Sequence, residues 1–207
     1  MSFVRRLLDR RRMAGSAHAG MFERHRGSDC VALDLETTGL DSRTDSVLSL
    51  AAVPVEGAQI KLSQALSLTV RGATDFRIES MRHHRLRPLD IAGGSDLDAA
   101  LDAFLELLGN RPILGYAVAF DVALLDRLVE ARHGFRLPNR VIELRDVYRD
   151  AWQRRHPERA EPVLDYEALM AATGVPVLAR HTALGDAVTT AMAWVRLTHG
   201  PDPWRRT

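Results

Sequence analysis

Asp34 and Glu36 in VALDLETTGL, Asp121 in GYAVAFDVALL, and His181 with Asp186 in RHTALGDAVTTAMAW are the residues most able to do chemistry in this chain. Four carboxylates that converge can hold two hard divalent cations, and an imidazole beside them can take a proton from water. Together they suit metal-assisted cleavage of a phosphodiester. Whether they converge depends on the elements that carry them.

Asp34 and Glu36 stand two apart within the apolar run CVALDLE, which reads as a buried strand bounded by the turn at Thr37-Thr38-Gly39. Side chains two apart leave the same face of a strand. Two such carboxylates raise each other's pKa unless cations neutralise them; the alternative is that both reach solvent and cap the turn. Asp121 opens a helix, where an acid also favours the helix dipole. On one regular helix His181 and Asp186 would point about 140° apart. They meet only if His181 lies on the preceding loop and Asp186 one turn in.

The remaining elements follow from periodicity. SVLSLAAVPVEGAQIKLSQALSLTV reads as two strands joined at Glu56-Gly57. Residues 71–95 read as an irregular loop with short helical turns; within it His83 and His84 stand among arginines able to touch phosphate. Ser95 or Asp96 caps a helix whose Leu97, Leu101, Phe104, Leu105 and Leu108 form one apolar stripe. PILGY is a short strand, followed by a helix through Val122, Leu125, Leu128 and Val129. A last strand is expected over 139–144, with helices over about 146–155, 164–173 and 183–198. Strands first and helices afterwards indicate an α/β fold on a mixed sheet.

With 207 residues and 46% apolar content the chain can build one sizeable domain. No apolar run reaches the roughly 18 residues of a membrane span. The single cysteine, Cys30, excludes an internal disulfide and a cysteine-rich zinc site, which fits a reducing, cytoplasmic setting. Residues 1–28 carry seven arginines against Asp9 and Glu23, a net +5, whereas residues 29–207 carry a net −4. The expected organisation is a basic extension over 1–28, a domain over 29–200 and a short tail over 201–207. The extension is expected to pack loosely, as a short helix with Phe3, Val4, Leu7 and Leu8 on one face.

Taken in order, Asp-x-Glu-Thr-Thr-Gly at a strand end, Phe-Asp opening a helix and His-x4-Asp-Ala at the last helix resemble the three motifs of the DEDD exonuclease superfamily, histidine branch. The proofreading epsilon subunit of bacterial replicative DNA polymerase belongs to that group. The resemblance covers roughly residues 29–198 and implies a ribonuclease H-like fold, a five-stranded mixed sheet flanked by helices. It implies two Mg²⁺ or Mn²⁺ ions on Asp34, Glu36, Asp121 and Asp186, with Asp34 bridging both and His181 as general base. It implies release of nucleoside 5′-monophosphates from the 3′ end of a single or frayed strand, DNA before RNA, in proofreading or repair. By the same resemblance the backbone at Thr37 and Thr38 holds the terminal sugar and Leu40 packs on the terminal base.

Two departures qualify it. Many relatives carry His-Asn just before the second motif, where Tyr116 and Ala117 stand here; Tyr116 is either a contact to the strand or a core residue. The C-terminal segment by which the replicative subunit docks on its polymerase has no counterpart before Thr207, so a stand-alone or partner-regulated nuclease is expected over a core replisome subunit. RNA or short-oligonucleotide degradation is the alternative substrate class, and a non-catalytic nucleic-acid-binding or regulatory module on the same fold is the rival function.

Overall fold

The computed structural model of the protein describes residues 3–71 and 86–201. At its centre lies β1 (Cys30–Thr37), antiparallel to β2 (Val47–Glu56) on one side. On the other side β1 runs parallel to β5 (Ile113–Gly115), which in turn runs parallel to β6 (Val141–Glu143). The outer flank of β2 carries two short antiparallel strands, β3 (Gln59–Ile60) and β4 (Leu66–Thr69). The sheet is therefore mixed, as the order of elements implies, but has six strands rather than five.

The extra strand arises because the third one is broken. β3 pairs Val55 and Glu56, β4 pairs residues 49–52, and between them a 3-10 turn over Leu62–Gln64 bulges out. The gap falls opposite Val53 and Pro54. Proline has no N–H to give to a ladder, and Pro54 contributes only its carbonyl, which accepts from Lys61 N–H at 2.9 Å.

Alternation along β1 divides the core in two. Val31, Leu33 and Leu35 face the cluster built by α3 (Leu97–Leu108) and α4 (Ala119–His133), including Phe104, Leu108 and Leu124. Cys30 and Ala32 face the opposite cluster, formed by α5 (Leu144–Arg155), α6 (Tyr166–Thr173) and α7 (Ala183–Thr198). Ala187 and Ala191 on α7 and Ala51 on β2 are fully buried there; such small side chains let a helix lie close to a sheet. The expected caps form: Asp96 accepts from Asp98 N–H and Asp165 from Ala168 N–H.

Around the connection over 71–95, the short α2 (Pro88–Ala92) is formed, with Arg87 paired to Asp90 at 3.0 Å. His83 and His84 lie outside the described residues. No helix among the described residues is long and apolar enough to cross a membrane.

The N-terminal segment is not the loose extension expected. Its helix α1 (Phe3–Arg12) forms, but Val4, Leu7 and Leu8 are exposed, and the residue it buries completely is Asp9. The reason is what α1 packs against, the C-terminal end of α4, where backbone polar groups need partners. Asp9 accepts from Arg136 N–H at 3.4 Å, Arg12 donates to the Gly134 carbonyl at 2.6 Å, and Arg5 bridges Asp9 and Glu130. Met13, Met21 and Phe22 then enter the main core, with Phe22 edge-on to Phe135 at 5.6 Å.

Candidate active site

Asp34 and Glu36 continue the face of β1 that Cys30 and Ala32 begin, the face covered by α7. Opposite them on β2 stand Ala51 and Ser49, so small neighbours leave room above the carboxylates. The β1–β2 register shifts between Glu36 and Thr37, which ends regular pairing at the carboxylate pair.

Asp186 lies in the first turn of α7, and His181 just before the cap residue Thr182, the loop-then-helix arrangement that lets the two approach. His181 has φ +64°, and its N–H donates to Asp186 Oδ2 at 3.1 Å. Thr182 Oγ1 accepts from Gly185 N–H at 3.2 Å. Gly185 is required here: a Cβ at that position would sit 2.3 Å from the Leu178 carbonyl oxygen and 2.6 Å from that of Ala179.

The result is a tight group. Asp34, Glu36 and Asp186 each offer a carboxylate oxygen, and these oxygens lie within 4.8 Å of one another. Asp121, buried at the start of α4, stands outside that group but close enough for its charge to act on Asp34. Its approach depends on the turn from β5 into α4. Ala117 takes φ +52°, and the N–H groups of Ala117 and Val118 donate to the Glu143 carboxylate at 3.0 and 3.1 Å. At Gly115 a Cβ would meet the Val118 side chain at 2.5 Å.

Burial and mutual repulsion dominate the electrostatics. Asp34 is held well above the usual carboxylate range, first by burial and then by the charges of Asp121, Asp186 and Glu36. Burial and the Asp186 charge push Glu36 up to about 7. Burial pushes Asp121 up to about 8, against a hydrogen bond from its own backbone N–H, with the Glu36 and Glu143 charges adding to the rise. Carboxylates that resist ionising at such close quarters lack positive charge, and oxygen donors suit a hard divalent cation. The donor set fits that group.

Two residues of this site escape a sequence reading. Arg180 Nη1 donates to Asp186 Oδ2 at 2.6 Å, its Nε reaches Glu167 at 3.3 Å, and its guanidinium lies 4.0 Å from the centre of the Tyr166 ring. Its charge opposes the rise in both Asp34 and Glu36. Tyr166, buried, donates its hydroxyl to Asp186 Oδ1 at 3.0 Å. Arg180 adjoins His181 in sequence, which is a signal; Tyr166 comes from another helix and leaves none.

The loop after β1 is firmly built. Thr37 Oγ1 donates to the Gly39 carbonyl at 2.7 Å, and buried Thr38 donates to Asp45 at 3.0 Å. Arg127 of α4 donates to the carbonyls of Ser42 and Asp45. On this anchored loop, which follows the strand bearing Asp34 and Glu36, Leu40 is 92% exposed. Tyr116, half-buried, donates to the Leu164 carbonyl at 2.8 Å and packs edge-on to Tyr166 at 5.0 Å, so both its hydroxyl and its ring are engaged within the protein.

A six-stranded mixed sheet flanked by helices, with acids from its central strand and two helices gathered at one end, has the ribonuclease H-like architecture. Among solved structures, Escherichia coli exonuclease I in complex with a dT13 oligonucleotide superposes with a TM-score of 0.67 at 20% identity, covering 81% of this chain and 40% of that one. Cell-death related nuclease 4 superposes with a TM-score of 0.67 at 14% identity, covering 82% and 63%. The profile of the exonuclease family RNase_T matches residues 31–193, and the chain belongs to that family. It is 27% identical over 109 residues to the DNA polymerase III subunit epsilon of Aquifex aeolicus, covering 53% of each chain. With the PolC-type DNA polymerase III of Clostridium perfringens it shares 25% identity over 97 residues, 47% of this chain and 7% of that protein. The chain thus spans about half, or far less, of the length of these relatives.

Proposed function

We propose that this protein is a divalent-metal-dependent 3′–5′ exonuclease that releases nucleoside 5′-monophosphates from single-stranded or frayed ends. The observation that carries the reading is the group of Asp34, Glu36 and Asp186 oxygens within 4.8 Å of one another, with Asp121 adjoining. Asp34, Glu36, Asp121 and Asp186 would hold Mg²⁺ or Mn²⁺, two ions per site. Cations held there would lower the pKa of water and stabilise the charge that develops on the phosphate.

The chain's own groups do the rest. His181, on the loop just before α7, accepts the proton of the attacking water. Tyr166 fixes the orientation of Asp186 from behind through its hydroxyl. Leu40 would offer an apolar surface to the terminal base, and the backbone at Thr37 and Thr38 would hold the terminal sugar.

DNA is favoured over RNA, because the epsilon subunit belongs to a DNA polymerase and the exonuclease I neighbour is seen with deoxythymidine oligomers. Proofreading or repair is the role that fits, alone or beside a polymerase. Matched DNA and RNA strands of one sequence, digested side by side with Mg²⁺ or Mn²⁺, test the assignment. Shortening of DNA at the faster rate supports it. Faster loss of RNA would move the substrate class, and two untouched strands would leave a binding module.

A further inference from the structure

A cleft of about 1090 Å³ lies away from the carboxylates. Its walls come from α1, from the segment over 23–27 leading into β1, and from the residues just before β5 and β6. β1, β5 and β6 are mutually parallel, so the cleft marks the end of the sheet where these strands begin. Glu36 and Asp121 stand where they finish. Eight residues of β1 at about 3.3 Å each separate the two by roughly 20–30 Å.

Arginines dominate the lining. Arg6 and Arg10 come from α1, Arg24 and Arg26 from the segment before β1, and Arg140 from the approach to β6, against Glu23 as the one acid. No ion pair or side-chain hydrogen bond to another described residue engages any of these five guanidinium groups. Their neighbours on the same helix behave otherwise: Arg5 bridges Asp9 and Glu130, and Arg12 holds the Gly134 carbonyl. Those contacts seat α1, and Arg6 and Arg10 of the same helix line the cleft. His25, also in the wall, is paired with Asp29 at 3.3 Å.

We propose that this cleft binds the phosphate backbone of a nucleic-acid strand, as a second site remote from the carboxylate group. Free guanidinium groups on opposite walls suit successive phosphates, to which arginine offers a planar fork of donors. The body over 29–207 carries a net −4 and repels a polyanion, so attraction is concentrated where residues 1–28 contribute +5. That the polyanion is nucleic acid, and not an acidic protein or an anionic membrane, rests on the exonuclease reading. A strand longer than the span between the two sites can occupy both at once, which slows its departure between cleavages.

Binding of a labelled single strand, followed by fluorescence anisotropy in EDTA so that nothing is cleaved, tests this against Arg24→Ala/Arg26→Ala/Arg140→Ala. These residues are exposed, so the fold should persist. The expected result is a loss of at least about tenfold in affinity, with the salt slope falling by about 2, near 0.7 for each phosphate contact removed. The corresponding triple Lys variant should keep most of the slope. Hydrolysis of a dinucleotide, too short to reach the cleft, should be unchanged in all three proteins. Unaltered affinity and slope in the Ala variant would overturn the proposal. So would tighter binding of poly-glutamate, or of phosphatidylglycerol vesicles, than of the strand at equal charge. A wild-type protein that binds strands through these arginines yet, loaded with Mg²⁺ or Mn²⁺, shortens neither the strand nor the dinucleotide would sink the nuclease reading while this one stands.

Discussion

His181 and Tyr166 do different work and should fail differently. His181→Ala removes the proposed proton acceptor and is expected to lower kcat about 10²–10⁴-fold while cation binding persists, as calorimetry with Mn²⁺ can show. Tyr166→Phe takes the hydroxyl from buried Asp186 Oδ1 and should weaken Mn²⁺ binding about 10–100-fold, with the fold retained. The raised carboxylates give a sign to pH dependence. Glu36 titrates at 4.5 when unfolded and at about 7 when folded, and Asp121 at 3.8 and about 8. The folded state thus holds protons that the unfolded chain has released, so stability is full below the unfolded values and falls as pH rises through 7 and 8. In EDTA the Tm should drop between pH 5 and 8, and added Mg²⁺ should flatten that fall; a rising Tm would contradict the burial of these groups. The gathering of Asp34, Glu36 and Asp186 was legible from the order of the motifs that carry them, whereas each cluster alone reads equally as a turn cap or a first-turn acid. Tyr166 was not, since its contact with Asp186 joins two helices across 20 residues.

At the scale of elements, the turn before α7 carries the heaviest constraint. Gly185→Ala would drive a methyl group into the Leu178 and Ala179 carbonyls, so the loop bearing Arg180 and His181 must move. A cost of about 1–3 kcal/mol in denaturant unfolding is expected, together with loss of most activity. A variant as stable and active as the parent would show that the loop can shift freely. Periodicity revealed the helices well: α7 begins at Ala183 and ends at Thr198, within the expected bounds. It failed on the third strand, because the break opposite Pro54 depends on a ladder partner that no local pattern displays. The clasp of Glu143 on Ala117 and Val118 was equally hidden, since Glu143 reads locally as nothing more than a helix cap.

Over the whole molecule, the N-terminal segment is part of the fold. Apolar spacing in α1 put Phe3, Val4, Leu7 and Leu8 on one face of a loosely packed helix, yet Val4, Leu7 and Leu8 are exposed and the contact is made by Asp9 and by Met13, Met21 and Phe22 beyond. A hydrophobic pattern could not disclose that the surface awaiting α1 was a helix end with polar groups to satisfy. Removing residues 1–22 takes three buried apolar side chains out of the main core and should cost several kcal/mol, at about 2–5 for each large core truncation with part regained by collapse. Thermal unfolding unchanged by the truncation would contradict that integration. The proposed function makes one demand, that acids from β1, α4 and α7 act together on a phosphodiester. Incubation of a 5′-labelled single strand with the wild-type and Asp34→Ala proteins in Mg²⁺ or Mn²⁺, with EDTA as control, puts it to the test. The expected result is a ladder of products shortened from the 3′ end by the wild type alone, and none with EDTA. Equal shortening by Asp34→Ala, or an intact strand with metal-loaded wild type, would contradict it.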